Sequence, residues 1–343
     1  MKLMRRSLMA AAIALSAVAA TPVFADHHGG KKMAAEMPTE LNFGIISTES
    51  SSKQAAMFAP LLADMEKAIG VKVKAFYASD YAGVIEGMRF NKVQVAWYGN
   101  KSAMEAVDRA SGEIFTQTVA LDGSKGYYSL LITQKDSPYK SLQDVLKNSK
   151  DIRFGIGDPN STSGFLVPSY YVFALNNVDP KQAFKSVTTS NHEGNLLAVS
   201  AKQVDVAVNN TESLERFQKT QADKAANVKE IWRSPLIPSD PLVWRKDLNP
   251  ELKKKIADFF LNYGKAAGAE GERQLKVLEP HLWKGFIKSD NNQLLPIRQL
   301  ELYKSRNKVA GDSNLADADK KKQLADLDAK LADLEKQMKA LKK

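Results

Sequence analysis

The chain has no cysteine among its 343 residues. That excludes a disulfide framework, a thiol nucleophile, a thiolate metal site and a lipid-modified cysteine. At this length a core can be large enough without covalent staples, so an exported protein loses little by the absence. After the first 25 residues there is no apolar run long enough to span a bilayer. The common motifs of hydrolysis and nucleotide binding are missing as well: there is no G-x-S-x-G and no H-E-x-x-H. Gly155-x-Gly157 lacks a third glycine, and no lysine completes a P-loop. Ser50-Ser51-Ser52-Lys53 does match S-x-x-K, without its companion motifs, and supplies a rival reading as a serine acyl-enzyme. No cofactor and no resident metal site are expected. Acidic residues are the scarcer charge, 39 against 49 basic ones, for a formal net charge of +10. The lysines are scattered along surface-like helices, so the excess reads as a solubility feature, with no nucleic-acid partner expected.

What is present begins with an export signal. Lys2, Arg5 and Arg6 precede the apolar run from Leu8 to Ala20, and Val23-Phe24-Ala25 places small residues at −3 and −1. Residues 1–25 therefore read as a signal peptide cleaved after about Ala25, which sends the mature protein to the periplasm. Residues 26–39 form a polar lead-in, in which His27-His28 reads as solvated linker rather than a metal site.

From residue 40 the chain alternates between strand-like and helix-like segments. "LNFGIIS" reads as a buried strand, and "SKQAAMFAPLLADMEKAIG" as an amphipathic helix closed by Gly70. Strands are also expected in "VKVKAFYA", "VQVAWYG", "IFTQTVA", "YYSLLITQ", "IRFGIGD", "VDVAVNN", "EIWRS" and "PLVWRK". The alternation predicts an α/β fold with largely parallel sheets. Extended segments on either side of residues 131–234 suggest an inserted second lobe. Residues 40–130 and 235–312 then make the first lobe, with the ligand site in the cleft between the two. A tail at 313–343 carries Leu324, Leu327, Leu331, Leu334, Met338 and Leu341 at 3-4-3-4-3 spacing. This heptad seam predicts a helix that pairs with a second copy in a homodimer; the alternative is packing on its own lobe.

Polar and aromatic residues gather just after the apolar runs, where α/β strands converge on a cleft. Among them is Ser161-Thr162-Ser163, following the turn Asp158-Pro159-Asn160 and opening a helix-like segment. One hydroxyl suffices as a cap. Three of them beside the free N–H groups of a helix start read as a cradle for an oxyanion, and Gly164 would let the anion approach the backbone.

Together "LNFGIISTES", "DYAGVIEGMRFNKVQVAWYGN", "GDPNSTSGFLVPSYYVFALNN", "KQVDVAVNNTESL" and "SPLIPSDPLVWRK" resemble the periplasmic phosphonate-binding receptors of phosphonate ABC transporters, over about residues 40–310. The resemblance implies a type II periplasmic binding protein: two α/β lobes that close about a hinge, here followed by the C-terminal heptad helix. It implies that Ser161, Thr162 and Ser163 hold phosphonate oxygens, with Tyr81 and His192 adding donors and Tyr127 walling the pocket. Glu212 and Asp240 would pair with a ligand amine, since carboxylates near a bound anion repel it unless the ligand is also a cation. 2-Aminoethylphosphonate is the ligand this favours, and an inner-membrane permease the partner. The rivals are a receptor for phosphite, phosphate or a phosphate monoester, the Ser50/Lys53 acyl-enzyme, and an adaptor acting through its heptad tail.

Overall fold

A computed structural model describes residues 36–341. The expected leader, its cleavage site and His27-His28 lie outside those residues. No described helix is long and apolar enough to cross a membrane.

The strands, in chain order, are β1 (Glu40–Ile45), β2 (Lys72–Tyr77), β3 (Val95–Trp97), β4 (Gly112–Ala120), β5 (Gly126–Tyr127), β6 (Ser129–Gln134) and β7 (Arg153–Ile156). They continue with β8 (Ser186–Thr189), β9 (Val206–Asn210), β10 (Val228–Arg233), β11 (Ile237–Pro238), β12 (Pro241–Arg245) and β13 (Trp283–Lys288). They form a six-stranded sheet in the order β13-β4-β12-β3-β1-β2 and a five-stranded sheet in the order β10-β6-β9-β7-β8. Each sheet is the centre of one lobe. Between them the chain crosses twice, and the two crossings lie side by side as the short antiparallel pair β5–β11, with Tyr127 opposite Ile237.

The sheets are mixed rather than largely parallel. β1 pairs in parallel with β2 and β3, and β7 with β8 and β9. β12 runs antiparallel to β3 and β4, and β6 antiparallel to β9 and β10. β12 and β6 are the first strands after each crossing, where the chain enters a lobe in the reverse direction; β13, also antiparallel to β4, adds at the edge of the first sheet. In the two large sheets, the strands not anticipated from pattern are β8 and β13. β8 is a short edge strand with most residues exposed, and β13 carries an irregular register at Trp283–Gly285 against β4, so neither shows a clean alternation.

Burial explains why these segments hold. Helix Ser51–Ile69 buries Phe58, Leu61, Leu62, Met65 and Ile69 on the first sheet and ends at Gly70, whose φ of 71° suits a residue without Cβ. Phe58, Trp97, Trp283 and Phe43 join one aromatic cluster beneath the cleft, with Phe58 and Trp97 ring centroids 5.6 Å apart. His281 completes it, its Nε2 donating to Met57 O (3.0 Å) and its ring stacking on Trp283. The second sheet is covered on one face by Phe154, Phe173 and Phe184 and on the other by Leu130, Leu196 and Phe217.

The heptad seam is used within the chain. Helix Asp317–Ala340 lies against helix Leu295–Gly311, burying Leu331 and Leu334, and Arg306 pairs with Asp328 across the contact (2.5 Å). Within the single chain this is the second of the two expectations, packing on the chain's own lobe, and it covers Leu331 and Leu334, while Leu341 at the end of the seam stays 56% exposed. Helix Leu295–Gly311 itself touches both lobes, through Arg298 to Asp108 (2.5 Å) on the first and Tyr303 stacked on Tyr170 on the second.

Candidate functional site

β7 ends at Ile156, and the turn Gly157–Asn160 leads into a helical segment that starts at Thr162 as a wide, π-type turn. The turn is compact: Gly157 N donates to Gly164 O (2.9 Å), and a Cβ on Gly157 would meet Gly164 backbone atoms at 2.6 Å. Ser161 caps the segment, its Oγ accepting from Gly164 N at 3.0 Å.

Each of the three hydroxyls has its acceptor role filled by a protein donor. Thr162 Oγ1 accepts from Lys101 N (2.8 Å), at the start of the facing helix Asn100–Arg109 in the first lobe. Ser163 Oγ accepts from Asn210 Nδ2 (3.1 Å). A hydroxyl has one proton to donate. Among the described residues those of Thr162 and Ser163 meet no protein acceptor, and Ser161 Oγ lies 3.4 Å from His192 Nε2 and beside the Tyr81 hydroxyl. The set is thus primed to donate, which is the chemistry an anion requires.

Space at Gly164 goes to neighbours: a Cβ there would meet Ser161 Oγ at 2.8 Å and His192 Cε1 at 3.2 Å. The glycine therefore makes room for His192 beside the hydroxyls. His192 is held by Asn209, whose Nδ2 donates to the His192 carbonyl (2.9 Å), and its Nδ1 is buried with no partner among the described residues. Burial, and secondarily the charge of Arg216, lowers the imidazole to about 4. It is neutral at pH 7 and acts as a hydrogen-bonding group rather than a cation.

All eight residues singled out from sequence, Tyr81, Tyr127, Ser161, Thr162, Ser163, His192, Glu212 and Asp240, line one small cavity. The structure brings them together from both lobes and the crossing strands. Sequence reasoning placed Trp97 at a strand end facing the cleft and passed over Asn210 and Arg216; all three line the same cavity. Arg216 had a signal, one helical turn after Glu212. Its ion-pair partner Glu49 (2.7 Å) is 167 positions away and gave none.

The carboxylate end is short of positive charge. Asp240 is 8% exposed, and its Oδ1 has no hydrogen-bond partner, as is true of Trp97 Nε1. Burial first, and the neighbouring Glu212 charge second, push the Asp240 carboxyl well above the usual range; Tyr127, Arg216 and Trp97 pull weakly the other way from nearby, Trp97 without hydrogen-bond geometry. Glu212, a partly exposed residue, is raised by burial of its carboxylate and lowered in part by Arg216. Tyr127 is pushed up by burial and by the same two carboxylates. Arg216, the nearest cation, is already committed to Glu49.

The lobes meet across the cavity through a small set of contacts. Glu193 of the second lobe accepts from Ser50 N (2.9 Å) and Lys53 Nζ (3.2 Å), and Glu193 N donates to Thr48 O (3.3 Å). Tyr81 N donates to Asp158 Oδ2 at 3.2 Å. Lys53 also pairs with Glu49 at 2.8 Å. Burial alone would lower the Lys53 ammonium, but these two carboxylates raise it overall, so it is no base for Ser50. Among the described residues no group of three or more histidine, aspartate or glutamate side chains is placed to hold a metal ion.

Residues 43–294 match the family described as ABC transporter, phosphonate, periplasmic substrate-binding protein. The chain is 54% identical over 308 residues to the phosphonates-binding periplasmic protein of Escherichia coli (strain K12), covering 90% of this chain and 89% of that one. A solved binding protein component of an ABC phosphonate transporter from Pseudomonas aeruginosa has a TM-score of 0.86 and 58% identity, over 90% of this chain and 100% of that one. A Prochlorococcus marinus protein solved with methylphosphonate shares the fold at 22% identity, with a TM-score of 0.67 over 77% of this chain and 97% of its own.

Proposed function

This chain belongs to the periplasmic substrate-binding proteins of phosphonate ABC transporters, and on that premise we propose that its ligand is 2-aminoethylphosphonate, delivered by the closed form to an inner-membrane permease. Ser161, Thr162 and Ser163 hold the phosphonate oxygens, with the Tyr81 hydroxyl and neutral His192 as further donors. Glu212 and Asp240 take the ammonium group, and Tyr127 walls the space between. No bond in the ligand is made or broken, as befits a family of transport receptors rather than enzymes.

The observation that carries this reading is the pair of under-neutralised carboxylates in a cavity whose other end is built to donate to an anion. A dianion alone leaves Asp240 buried beside a second negative charge, at a cost of several kcal/mol for each uncompensated ion. A zwitterion satisfies both ends. Titration calorimetry with 2-aminoethylphosphonate, phosphate and phosphite tests it: the amino compound is expected to bind far more tightly than either inorganic anion. Equal or tighter binding of phosphate or phosphite assigns the chain to the rival receptor class.

A further inference from the structure

The ligand cavity is sealed unequally. At the anion end Ser161, Thr162, Ser163 and His192 are all at most 4% exposed. At the carboxylate end, Tyr127 and Glu212 border the cavity and also border a second, open groove of about 880 Å³ of atom-free space, flanked by Leu121, Asp122, Ser124 and Arg233. Tyr127 and Glu212 are the residues that the cavity and the groove have in common. Tyr127 is fixed in the crossing strand β5 and buried. Glu212 is partly exposed, and among the described residues its carboxylate makes no hydrogen bond or ion pair. A long side chain held by no partner changes rotamer at little cost.

We infer that the receptor accepts aminoalkylphosphonates substituted on nitrogen, the substituent passing beside Glu212 into this groove, and refuses substitution on the phosphonate oxygens. The inference rests on the assignment of Glu212 and Asp240 to the amine. The groove's lining sets the chemistry of the substituent. Asp122 carries an anionic edge, and Arg233 lies over the Tyr128 ring (5.1 Å) while pairing with Glu230 (2.7 Å), so the walls are polar and its one cation is occupied. Short alkyl and hydroxyalkyl groups suit such a wall. N-alkylation also leaves the nitrogen positively charged with a proton to donate, so its pairing with buried Asp240 survives. N-acylation removes the charge, and the buried carboxylate then loses its counter-ion. At the other end, an ester methyl would take one oxygen from the hydroxyl donors in a sealed space, leaving buried donors unpaired.

The test is titration calorimetry on the full mature chain with 2-aminoethylphosphonate, its N-methyl, N-(2-hydroxyethyl) and N-acetyl derivatives, and its O-methyl monoester. The two N-alkyl compounds are expected within about tenfold of the parent, and the N-acetyl compound and the ester at least about 100-fold weaker. Leu121→Trp, which narrows the groove without touching the cavity, is expected to weaken the N-(2-hydroxyethyl) compound about tenfold and leave the parent unchanged. N-alkyl compounds that lose as much as the ester overturn the inference alone, as does a Leu121→Trp variant that treats parent and substituted ligand alike. Failure of the parent to bind overturns the amine assignment itself, and the inference with it.

Discussion

At Asp240, one carboxylate oxygen lies buried without a partner, and burial with the adjacent Glu212 charge holds the group's titration well above that of an ordinary aspartate. The sign of the pH effect on binding follows. Below that raised pKa an incoming ammonium displaces the carboxyl proton, so binding of 2-aminoethylphosphonate there releases protons and strengthens as pH rises toward it. Calorimetry in buffers of different ionisation enthalpy reads this release directly; proton uptake, or no exchange, contradicts it. Single residues were legible in proportion to how local their signal is. Ser161–Ser163 stand out because a hydroxyl run after a strand and turn exceeds what capping needs. Arg216 does not stand out, because Glu49, which explains it, enters only through the closed tertiary structure. Gly164 was legible as a close approach, but what approaches it is His192.

Among the elements, the strands of the two sheet centres were readable as apolar runs, since β1, β7 and β9 are buried almost throughout. Edge and irregular strands such as β8 and β13 were not, because exposure removes the apolar pattern on which such reading depends. Strand direction escaped for a different reason: periodicity reports burial and says nothing of which neighbour a strand pairs with. The C-terminal seam gives the same lesson. Its 3-4 spacing identifies an apolar stripe, and helix Leu295–Gly311 covers it at Leu331 and Leu334. A chain ending near residue 312 should therefore keep the sedimentation mass of the full-length protein. Its thermal midpoint should fall, since Leu331 and Leu334 each contribute roughly 1.5–3 kcal/mol of burial. A full-length dimer that becomes a monomer on truncation would restore the seam to intermolecular pairing.

For the molecule as a whole, the proposed function assigns closure and selectivity to separate groups. Glu193, Lys53, Ser50 and Thr48 join the lobes outside the ligand cavity, whereas Glu212 and Asp240 line it. Glu193→Gln loses the charge that pairs with Lys53 in the closed form only. Binding of every ligand should weaken by a common factor of about 3–10, since a partly exposed ion pair is worth on the order of 1 kcal/mol. A ligand-dependent change in that variant would place Glu193 in recognition rather than closure. The central claim is that the carboxylate end selects a zwitterion. Its most direct test is the ratio of 2-aminoethylphosphonate to ethylphosphonate affinity, measured by calorimetry on the wild-type chain and on Asp240→Asn. We predict a wild-type preference for the amino compound of at least about 100-fold, and its near loss in the variant, because the ammonium then gives up its buried counter-ion at a cost of about 3–5 kcal/mol. Equal affinity of the wild-type protein for the two phosphonates would contradict the account.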